Sequence, residues 1–276
     1  MAINTYTEIS YMKIELSPPV VITHMHIANK CLHVIRDDLL PGGTKQRAAA
    51  QMLQNLAEDG FTEFVYASPF SGFAQIALAS TCKLLNLKCT LFCEQNRSLL
   101  TKNQTLHEFS EIAKQSADSV YIESSLQSAE KAAKAYCELK CGSYLIPLGF
   151  QCNEFTIELA KILSVEWSHI CKKLGRQPSV LWLPVGSGTL ARTFRKILPQ
   201  SVLLKCVNVN VLTLDDPRIL DLASQSGIEL YHLKQPFIEP VVDSPPIPSN
   251  RYYDAKLWKL IEKHISNDDV WWNVAR

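Results

Sequence analysis

The sequence has little net charge, no long apolar run and no closely spaced cysteine pair. Its 28 Lys and Arg residues nearly balance 27 Asp and Glu residues, which gives a formal net charge of +1. Without a field of one sign, a dedicated nucleic-acid binder is not indicated, although nucleic acid stays open as a substrate. No apolar stretch approaches the ~20 residues of a membrane helix, so no membrane partner is expected. Residues 1–16 lack the basic region and apolar core of a secretory signal, and we therefore expect a cytoplasmic protein.

The cysteines are nine in number, and none forms a C-x-x-C motif. An odd set without that spacing favours reduced thiols in a cytosolic protein. Cys89 and Cys93 are four residues apart, as are Cys137 and Cys141, but no histidine accompanies either pair at the spacing of zinc ligands. The cysteines therefore predict no metal site.

Short apolar runs alternate with helical periods along most of the chain. This alternation predicts parallel strands joined by helical crossovers. We expect an α/β protein of two lobes, each a mostly parallel sheet flanked by helices, with a cleft between them. A proline-rich stretch at 239–250 is typical of an extended surface connection. The predicted strands are 62–68, 88–94, 119–124, 142–149, 179–185 and 201–211, and the predicted helices are 72–86, 98–117, 126–140, 154–175, 190–198 and 254–265.

The stretch "RDDLLPGGTKQRAAAQML" at 36–53 places one lysine, Lys45, at the start of a helix after two glycines. A phosphate-binding P-loop is not the explanation, because Thr44 precedes the lysine and Gln46 follows it where glycine and Ser or Thr are required. A lysine at a helix N-terminus opposes the helix dipole. Lys45 is therefore either a solvated side chain or a residue directed at a ligand.

The stretch "VLWLPVGSGTLARTF" at 180–194 joins a buried strand to a helix through a glycine-rich turn. Glycines let a backbone approach an anion closely, and a helix start offers unpaired N–H groups. Gly186, Ser187, Gly188 and Thr189 therefore form a candidate phosphate cradle. The letters G-S-G-T-L-A also fit a dinucleotide fingerprint, but the acids at 215–216 come later than that fingerprint expects. A plain glycine-rich turn is the third interpretation.

Two further turns carry polar residues before helices. Ser71 and Gly72 follow the strand at 62–68 and are typical of a helix cap or a close-approach site. Tyr253 and Asp254 precede the helix at 254–265, where an acid also favours the helix dipole. Each turn taken alone is compatible with a purely structural role.

Other polar and aromatic residues receive no functional assignment. His24 and His26 lie on one side of a predicted strand, a placement that suits a metal, but the sequence offers no third ligand. Trp271 and Trp272 favour packing within a lobe or a subunit contact rather than a wall of the active site. We therefore predict no metal site in this protein.

The four turns in this order resemble fold type II pyridoxal-phosphate (PLP) enzymes, the tryptophan synthase β-like group. The resemblance is nearest to the branch of aminocyclopropane-carboxylate deaminase and D-cysteine desulfhydrase, and it spans roughly residues 30 to 265. The segment "RDDLLPGGTKQR" is similar to the family motif R-E-D-L-x-x-G-G-N-K-x-R, with Thr44 in place of asparagine. The segments at 71–75, 145–163, 186–189 and 253–256 resemble the motifs S-N-H-A-R-Q, I-P-x-G, G-S-G-G-T and Y-[ET]-G-K.

The resemblance implies a role for each of these residues around PLP. Lys45 would hold the cofactor aldehyde as a Schiff base and later serve as a base, and Asp254 would contact the pyridine nitrogen. The phosphate would lie on Gly186, Ser187, Gly188 and Thr189. The remaining implied contacts are Ser71 at the substrate carboxylate or as a proton relay, Tyr253 as an acid or a ring contact, and Gly72 and Gln75 at the substrate. Gly72 and Phe73 depart from the asparagine and histidine of the family, which changes what surrounds the cofactor.

The resemblance also implies an organisation and an activity. Residues 1–47 and 151–276 would form a larger cofactor-binding lobe, and residues 48–150 a smaller α/β lobe. The expected activity is that of a lyase, deaminase or desulfhydrase on a small amino acid or amine, through an imine with the cofactor and a carbanion, in a homodimer. Two alternatives stay open. One is the same fold acting on an amino-acid group of a larger molecule such as modified nucleic acid, for example by decarboxylation; the other is a nucleotide-binding oxidoreductase that uses the G-S-G-T-L-A loop.

Overall fold

The structure is a computed structural model that describes residues 16–95 and 105–276. Part of the predicted helix 98–117, its residues 98–104, lies outside the described residues. The strands are β1 (Ile22–Ile27), β2 (Lys30–Arg36), β3 (Glu63–Ser68), β4 (Lys88–Glu94), β5 (Ser119–Glu123), β6 (Ser143–Ile146), β7 (Val180–Val185), β8 (Leu203–Asn208), β9 (Ile228–His232) and β10 (Asp269–Asn273). The α-helices are α1 (Gly43–Glu58), α2 (Ala74–Leu85), α3 (Glu108–Lys114), α4 (Leu126–Leu139), α5 (Asn153–Leu174), α6 (Thr189–Ile197), α7 (Pro217–Ser224) and α8 (Trp258–His264).

The strands form two sheets. One has six strands in the order β1-β2-β10-β7-β8-β9, and the other has four strands in the order β5-β4-β3-β6. Every recorded strand pair is parallel except the β1–β2 hairpin. The predicted α/β class with parallel sheets flanked by helices is therefore confirmed. The lobe boundaries at 47 and 151 stay a prediction, although the strands of the four-stranded sheet all lie between them.

Burial on both faces explains why β7 is apolar throughout and why the centre of β3 is apolar. All six residues of each strand are buried, because helices cover both sides of a parallel sheet. Trp182 of β7 and Trp271 and Trp272 of β10 are completely buried in the larger sheet. Of the two roles expected for Trp271 and Trp272, packing within a lobe is confirmed. Their complete burial excludes a subunit contact.

Several elements were not predicted from the sequence pattern. They are the strands β9 and β10, the helix α7 and the hairpin of β1 with β2, in which Ala28 and Asn29 form a tight turn with positive φ angles. Two consecutive positive φ angles match the twist of a two-residue hairpin, so the turn fixes the register of both strands. The predicted strand 201–211 is shorter and covers Leu203–Asn208, and the predicted helix 254–265 begins as a 3-10 turn.

Helix α1 carries the candidate lysine and packs against both α2 and α5. Its first residue, Gly43, has a φ of +60°, and a Cβ there would lie 2.4 Å from the carbonyl oxygen of Val274. Only glycine fits this close approach of α1 to the segment after β10. None of the described helices has the length and apolar character needed to cross a membrane.

Candidate active site

A cavity of about 380 Å³ lies at the start of α1 and at the carboxyl ends of β3 and β7. Of the residues predicted from the sequence, Lys45, Gly72, Gly186, Ser187, Gly188, Thr189 and Tyr253 line it. Ser71, Gln75 and Asp254 are not among its lining residues. Residues from all four predicted turns therefore line one cavity.

The side chain of Lys45 enters the cavity from the first turn of α1. Its Nζ atom lies 3.3 Å from the carbonyl oxygen of Gly149 and faces the rings of Phe155, at 5.4 Å, and Phe150, at 5.9 Å. Desolvation in this apolar setting lowers the pKa of the Lys45 amine to about 8. A lysine with that pKa is about one-tenth neutral near pH 7, whereas an unperturbed lysine is almost wholly charged. The amine is therefore suited to nucleophilic and basic chemistry.

A buried polar network holds the start of α1 in place beneath the lysine. Arg47 Nη2 donates to Asp37 Oδ1 at 2.7 Å, and Trp272 Nε1 donates to Asp37 Oδ2 at 2.9 Å. Thr44 Oγ1 donates to the same carboxylate at 2.8 Å, and Trp272 Nε1 also lies 2.9 Å from that hydroxyl. Thr44, which replaces the asparagine of the family motif, is thus a member of this network. Within the motif R-D-D, Asp37 holds the start of α1, and Arg36 pairs with Asp38 at 2.7 Å.

The glycine-rich turn joins β7 to α6. Gly188 precedes α6 with a φ of +77°, a conformation that side-chain-bearing residues rarely adopt. A Cβ at Gly186 would lie 3.1 Å from Cε1 of Tyr253, so the backbone there passes directly under that ring. Ser187 Oγ and Thr189 Oγ1 lie 3.1 Å apart at the mouth of the turn. Open backbone, two hydroxyls and a helix N-terminus form a suitable cradle for an anion.

Two arginines near this turn were not found from the sequence. Arg192 donates from Nη2 to the carbonyl oxygen of Ser187 at 2.9 Å, while its Nη1 atom is buried with no hydrogen-bond partner among the described residues. Arg218 lines the main cavity and also a neighbouring one of about 320 Å³, which Arg192 and Lys196 share. The position of Arg192 three residues after Thr189 was the available signal, because that spacing returns a side chain to the same helix face. The charge of Arg192 strengthens the attraction of the turn for an anion, whereas Arg218 is paired with Asp216 at 2.8 Å.

The turn after β3 differs from the sequence expectation. Gly72 lines the cavity, but a Cβ there would lie 2.8 Å from Cγ of Pro69, so the proline ring occupies the space that a side chain would need. Gln75 is fully buried and uses its amide internally, donating to the carbonyl oxygen of Gly72 at 2.9 Å and accepting from Cys93 Sγ at 3.4 Å. Ser71 is buried beside the turn. The substrate contacts predicted for Ser71 and Gln75 thus have no support from their placement, because neither lines the cavity.

Tyr253 and Phe73 form an aromatic side of the cavity. Their ring centroids are 6.5 Å apart in an edge-to-face arrangement, and the Tyr253 ring also covers Gly186. Burial raises the pKa of the Tyr253 phenol above its usual range, so the hydroxyl keeps its proton. Phe73 stands where the family motif has histidine, and this wall is accordingly apolar.

Asp254 lies behind the cavity wall rather than in it. Its Oδ1 atom accepts from the backbone N–H of Val274 at 2.7 Å, and its Oδ2 atom accepts from the N–H of Ala275 at 3.2 Å. Burial raises the pKa of this carboxyl group well above its usual range. The carboxylate therefore fixes the segment after β10, and nothing in its placement supports the predicted contact with a cofactor ring nitrogen.

The residues of the cavity fit PLP by the chemistry of their groups. The cofactor needs an amine for its aldehyde, an anion site for its phosphate and an apolar surface for its ring. Lys45 provides an amine that is neutral in part, and the turn at 186–189 provides a cradle that a Cβ at Gly186 would crowd. The rings of Phe73 and Tyr253 provide the apolar surface.

Comparisons with known proteins agree with this geometry. A family model described as "Pyridoxal-phosphate dependent enzyme" matches residues 24–213, which is more than half of the chain. The match begins at β1 and runs past the turn at 186–189, so it includes Lys45 and the phosphate cradle. No curated protein matches the sequence.

Solved structures show the same fold at low sequence identity. An ACC deaminase homologue is 15% identical with a TM-score of 0.71, covering 95% of this chain and 90% of its own. A hydrogen sulfide-producing enzyme from Fusobacterium nucleatum is 15% identical with a TM-score of 0.67, and 94% of each chain is covered. An O-acetylserine dependent cystathionine β-synthase from Helicobacter pylori is 18% identical with a TM-score of 0.64, again with 94% of each chain covered. With the matched family model, these findings place the chain in the family of pyridoxal-phosphate dependent enzymes, with the fold of type II.

Proposed function

We propose that this chain catalyses a lyase or deaminase reaction, including the desulfhydrase type, on a small amino acid or amine. The observation that carries the proposal is the position of Lys45, whose partly neutral amine faces an anion cradle across an apolar cavity. That combination serves covalent catalysis on a carbonyl cofactor. When bound, PLP supplies the electron sink for breaking a bond at the substrate Cα atom.

The residues of this chain would hold the cofactor at both ends. Lys45 Nζ would bind its aldehyde carbon, and the backbone of Gly186–Thr189 with the N-terminus of α6 would bind its phosphate. Arg192 adds positive charge behind that turn, since its Nη2 atom already donates to the carbonyl oxygen of Ser187. The Tyr253 ring limits how deeply a ligand can enter beside Gly186.

Proton movement is assigned to two side chains. When it is not bonded to the cofactor, the Lys45 amine would accept a proton from the substrate Cα atom near neutral pH, as its pKa of about 8 allows. The Tyr253 hydroxyl stays protonated because burial raises its pKa, so it can donate a proton to a leaving group but does not serve as a base. Phe73 and Phe155, both lining the cavity, exclude water from the site where these transfers occur.

The cavity favours a small substrate over the alternatives. Its volume of about 380 Å³ is near the lower end of the about 300–1,000 Å³ range of small-molecule sites, which leaves room for the cofactor and a small amino acid. The oxidoreductase alternative is not favoured, because Asp216 forms the N-cap of α7 and pairs with Arg218 at 2.8 Å. That carboxylate is therefore not free to bind a nucleotide ribose.

We further propose a homodimer in the cytoplasm. The dimer follows from the resemblance alone, and its test is sedimentation equilibrium of the PLP-loaded protein. The cytoplasmic location is supported by the cysteines, because all nine are free thiols, as expected in a reducing compartment.

A substrate panel tests the proposed reaction. The PLP-loaded protein is incubated with both enantiomers of cysteine and serine and with aminocyclopropane carboxylate, and ammonia, 2-oxo acid and sulfide are measured. We expect release of one of these products from at least one compound, and none from the Lys45→Ala variant. Release of carbon dioxide without ammonia, 2-oxo acid or sulfide would contradict the lyase or deaminase proposal in favour of decarboxylation.

A further inference from the structure

Three metal-binding side chains meet on the β1–β2 hairpin, away from the cavity. In the antiparallel register, His24 lies directly opposite His33, and Cys31 is two residues from His33 on the same strand. Because side chains alternate between the faces of a strand, these three residues share one face. None of them lines the cavity described above. The sequence pattern showed no third ligand beside His24 and His26. In the structure, the neighbouring strand β2 brings two further ligands, Cys31 and His33, to His24.

The ligand atoms of this cluster are close together. His24 Nδ1 and His33 Nδ1 are 2.7 Å apart, Cys31 Sγ is 3.8 Å from His33 Nδ1, and all three atoms lie within 4.8 Å of one another. The two rings stand edge to face with centroids 4.9 Å apart. His26 shares the face, opposite Cys31, but its ring nitrogens are not part of the cluster.

The far side of the His33 ring has a carboxylate. His33 Nε2 lies 3.3 Å from Asp268 Oδ1, and the other oxygen of Asp268 contacts Arg176. The two groups are not aligned as a hydrogen bond, but the nearby carboxylate favours a proton on Nε2, which leaves the lone pair on Nδ1, the nitrogen nearest to His24 and Cys31. Metal-binding histidines in proteins are oriented by such carboxylates. His33 is only 5% exposed, so its ring cannot turn freely to solvent.

We propose that His24, Cys31 and His33 bind one Zn²⁺ ion, with water in the fourth position. Zinc accepts imidazole and thiolate ligands in tetrahedral sites, and three protein ligands with one open position is a recognised arrangement. Bond lengths of about 2.0–2.1 Å to nitrogen would place two ligand nitrogens about 3.3 Å apart, so the two rings must separate by about 0.6 Å. His24 is exposed on the edge strand β1 and can make that shift.

Binding balances as a simple exchange. The Cys31 thiol releases its proton to solvent and the thiolate binds Zn²⁺. The proton that His24 carries on Nδ1 in the metal-free contact moves through solvent to Nε2, so both rings donate the lone pair of Nδ1 with no net loss of a proton. The ion then links β1 to β2, and through His33 and Asp268 it also fixes the residue before β10. Without the ion, the same contact is a hydrogen bond from the Nδ1–H of one ring to the Nδ1 of the other, and this competing state is what the experiment must exclude.

Zinc content after equilibrium dialysis tests the proposal. We compare the unsubstituted protein with His24→Ala and Cys31→Ala, which alter exposed or half-buried positions. The matched controls are Cys141→Ala and His232→Ala, which remove an exposed cysteine and an exposed histidine elsewhere. We expect one zinc ion per chain in the unsubstituted protein and both controls. The dissociation constant should rise at least about tenfold in the two cluster variants, and about 10–100-fold in Asp268→Asn.

Cobalt gives a second readout that depends on the thiol. Replacement by Co²⁺ should give a sulfur-to-metal charge-transfer band in the unsubstituted protein and both controls, and this band should be absent in Cys31→Ala. The unfolding temperature of the metal-free variants shows whether they fold. Equal zinc content in Cys31→Ala and the unsubstituted protein, or no zinc in the latter, would overturn the proposal. Lys45→Ala should bind zinc normally, so this test fails or succeeds independently of the proposed catalytic function.

Discussion

The Nζ atom of Lys45 lies 3.3 Å from the carbonyl oxygen of Gly149. The N–H of the same glycine donates to the Tyr66 hydroxyl at 3.0 Å, so Gly149 contacts both α1 and β3. Gly149 adopts a φ of +66°, which turns its two backbone groups toward these side chains. The short segment after β6 thus positions the amine of Lys45, and the reactive group depends on residues from three separate parts of the chain.

The buried carboxylate of Asp37 should be a major determinant of stability. It pairs with Arg47, which is only 2% exposed, and also accepts from Thr44 and Trp272. Asp37→Ala would leave a buried guanidinium without its main partner, which costs about 3–5 kcal/mol. We expect that loss in the free energy of unfolding, measured by urea titration.

An exposed ion pair is the matched control for Asp37. Lys259 and Asp243 are 3.2 Å apart with side chains that are 72% and 74% exposed. Asp243→Ala should change the free energy of unfolding by less than about 1 kcal/mol, because exposed pairs contribute little. Similar losses in the two variants would show that the Asp37 network does not stabilise the start of α1.

The turn between β7 and α6 should tolerate no Cβ at Gly188. An alanine there would have a φ of +77° and would place its Cβ 2.7 Å from both Arg192 Nη1 and Leu222 Cδ1. We expect Gly188→Ala to raise the dissociation constant of PLP by about 5-fold to 150-fold, because the strain at this positive φ costs about 1–3 kcal/mol and distorts the anion cradle. Absorbance titration of the apoprotein with PLP measures this constant.

Gly175 separates backbone strain from damage to the cradle. It ends α5 with a φ of +68°, and nothing lies within 4 Å of a Cβ placed there. Gly175→Ala should therefore lower stability by about 1 kcal/mol and leave the dissociation constant of PLP unchanged. If both glycine variants weaken PLP binding equally, the proposal that the 186–189 turn binds the phosphate of PLP is wrong.

Asp254 should act on stability and not on the spectrum of the cofactor. Its carboxylate accepts from the N–H groups of Val274 and Ala275, so Asp254→Ala leaves two donors unpaired and costs about 1–3 kcal/mol. The absorbance maximum of bound PLP should stay the same, since the carboxylate does not line the cavity. A shift of that maximum without loss of stability would instead support the ring-nitrogen role predicted from the sequence.

The capture of PLP by the apoprotein should depend on pH through Lys45. Its pKa is lowered to about 8, and only the neutral amine attacks an aldehyde. The rate of capture should therefore rise about eightfold from pH 6.5 to pH 7.5 and approach its plateau near pH 9. Stopped-flow absorbance measures the rate. A rate that keeps rising past pH 9 would indicate an amine with the ordinary pKa of a solvated lysine, about 10.4.

The sequence predicted those parts of the site that are local along the chain. Lys45 and the turn at 186–189 each lie at the start of a helix that follows glycines. This pattern can be recognised from the local sequence without knowledge of distant contacts. Gln75 was assigned to the substrate from the resemblance of the segment 71–75, whereas its hydrogen-bond partner Cys93 lies on another strand that the local sequence does not connect to it. The cluster of His24 with His33 required the register of a hairpin whose turn, at Ala28 and Asn29, has neither glycine nor proline to mark it.

The fold was predictable for a similar reason. Strands such as β7, buried on both faces, carry a strong apolar signal, whereas β9 alternates between exposed and half-buried residues and was missed. Strand β10 contains two tryptophans flanked by Asp269 and Asn273, and all of its residues are buried. Because its end residues are polar, the sequence pattern did not predict a central strand here. Its burial follows from the pairing with β2 and β7, which no local pattern records.

The attachment point of the cofactor tests the central claim most directly. The protein is incubated with PLP, reduced with borohydride and digested, and the modified peptide is identified by mass spectrometry. Our account predicts one pyridoxyl group per chain, on Lys45, and none in Lys45→Ala, which should still fold with an unchanged circular dichroism spectrum. A pyridoxyl group on another lysine, or equal labelling of the Lys45→Ala variant, would contradict it.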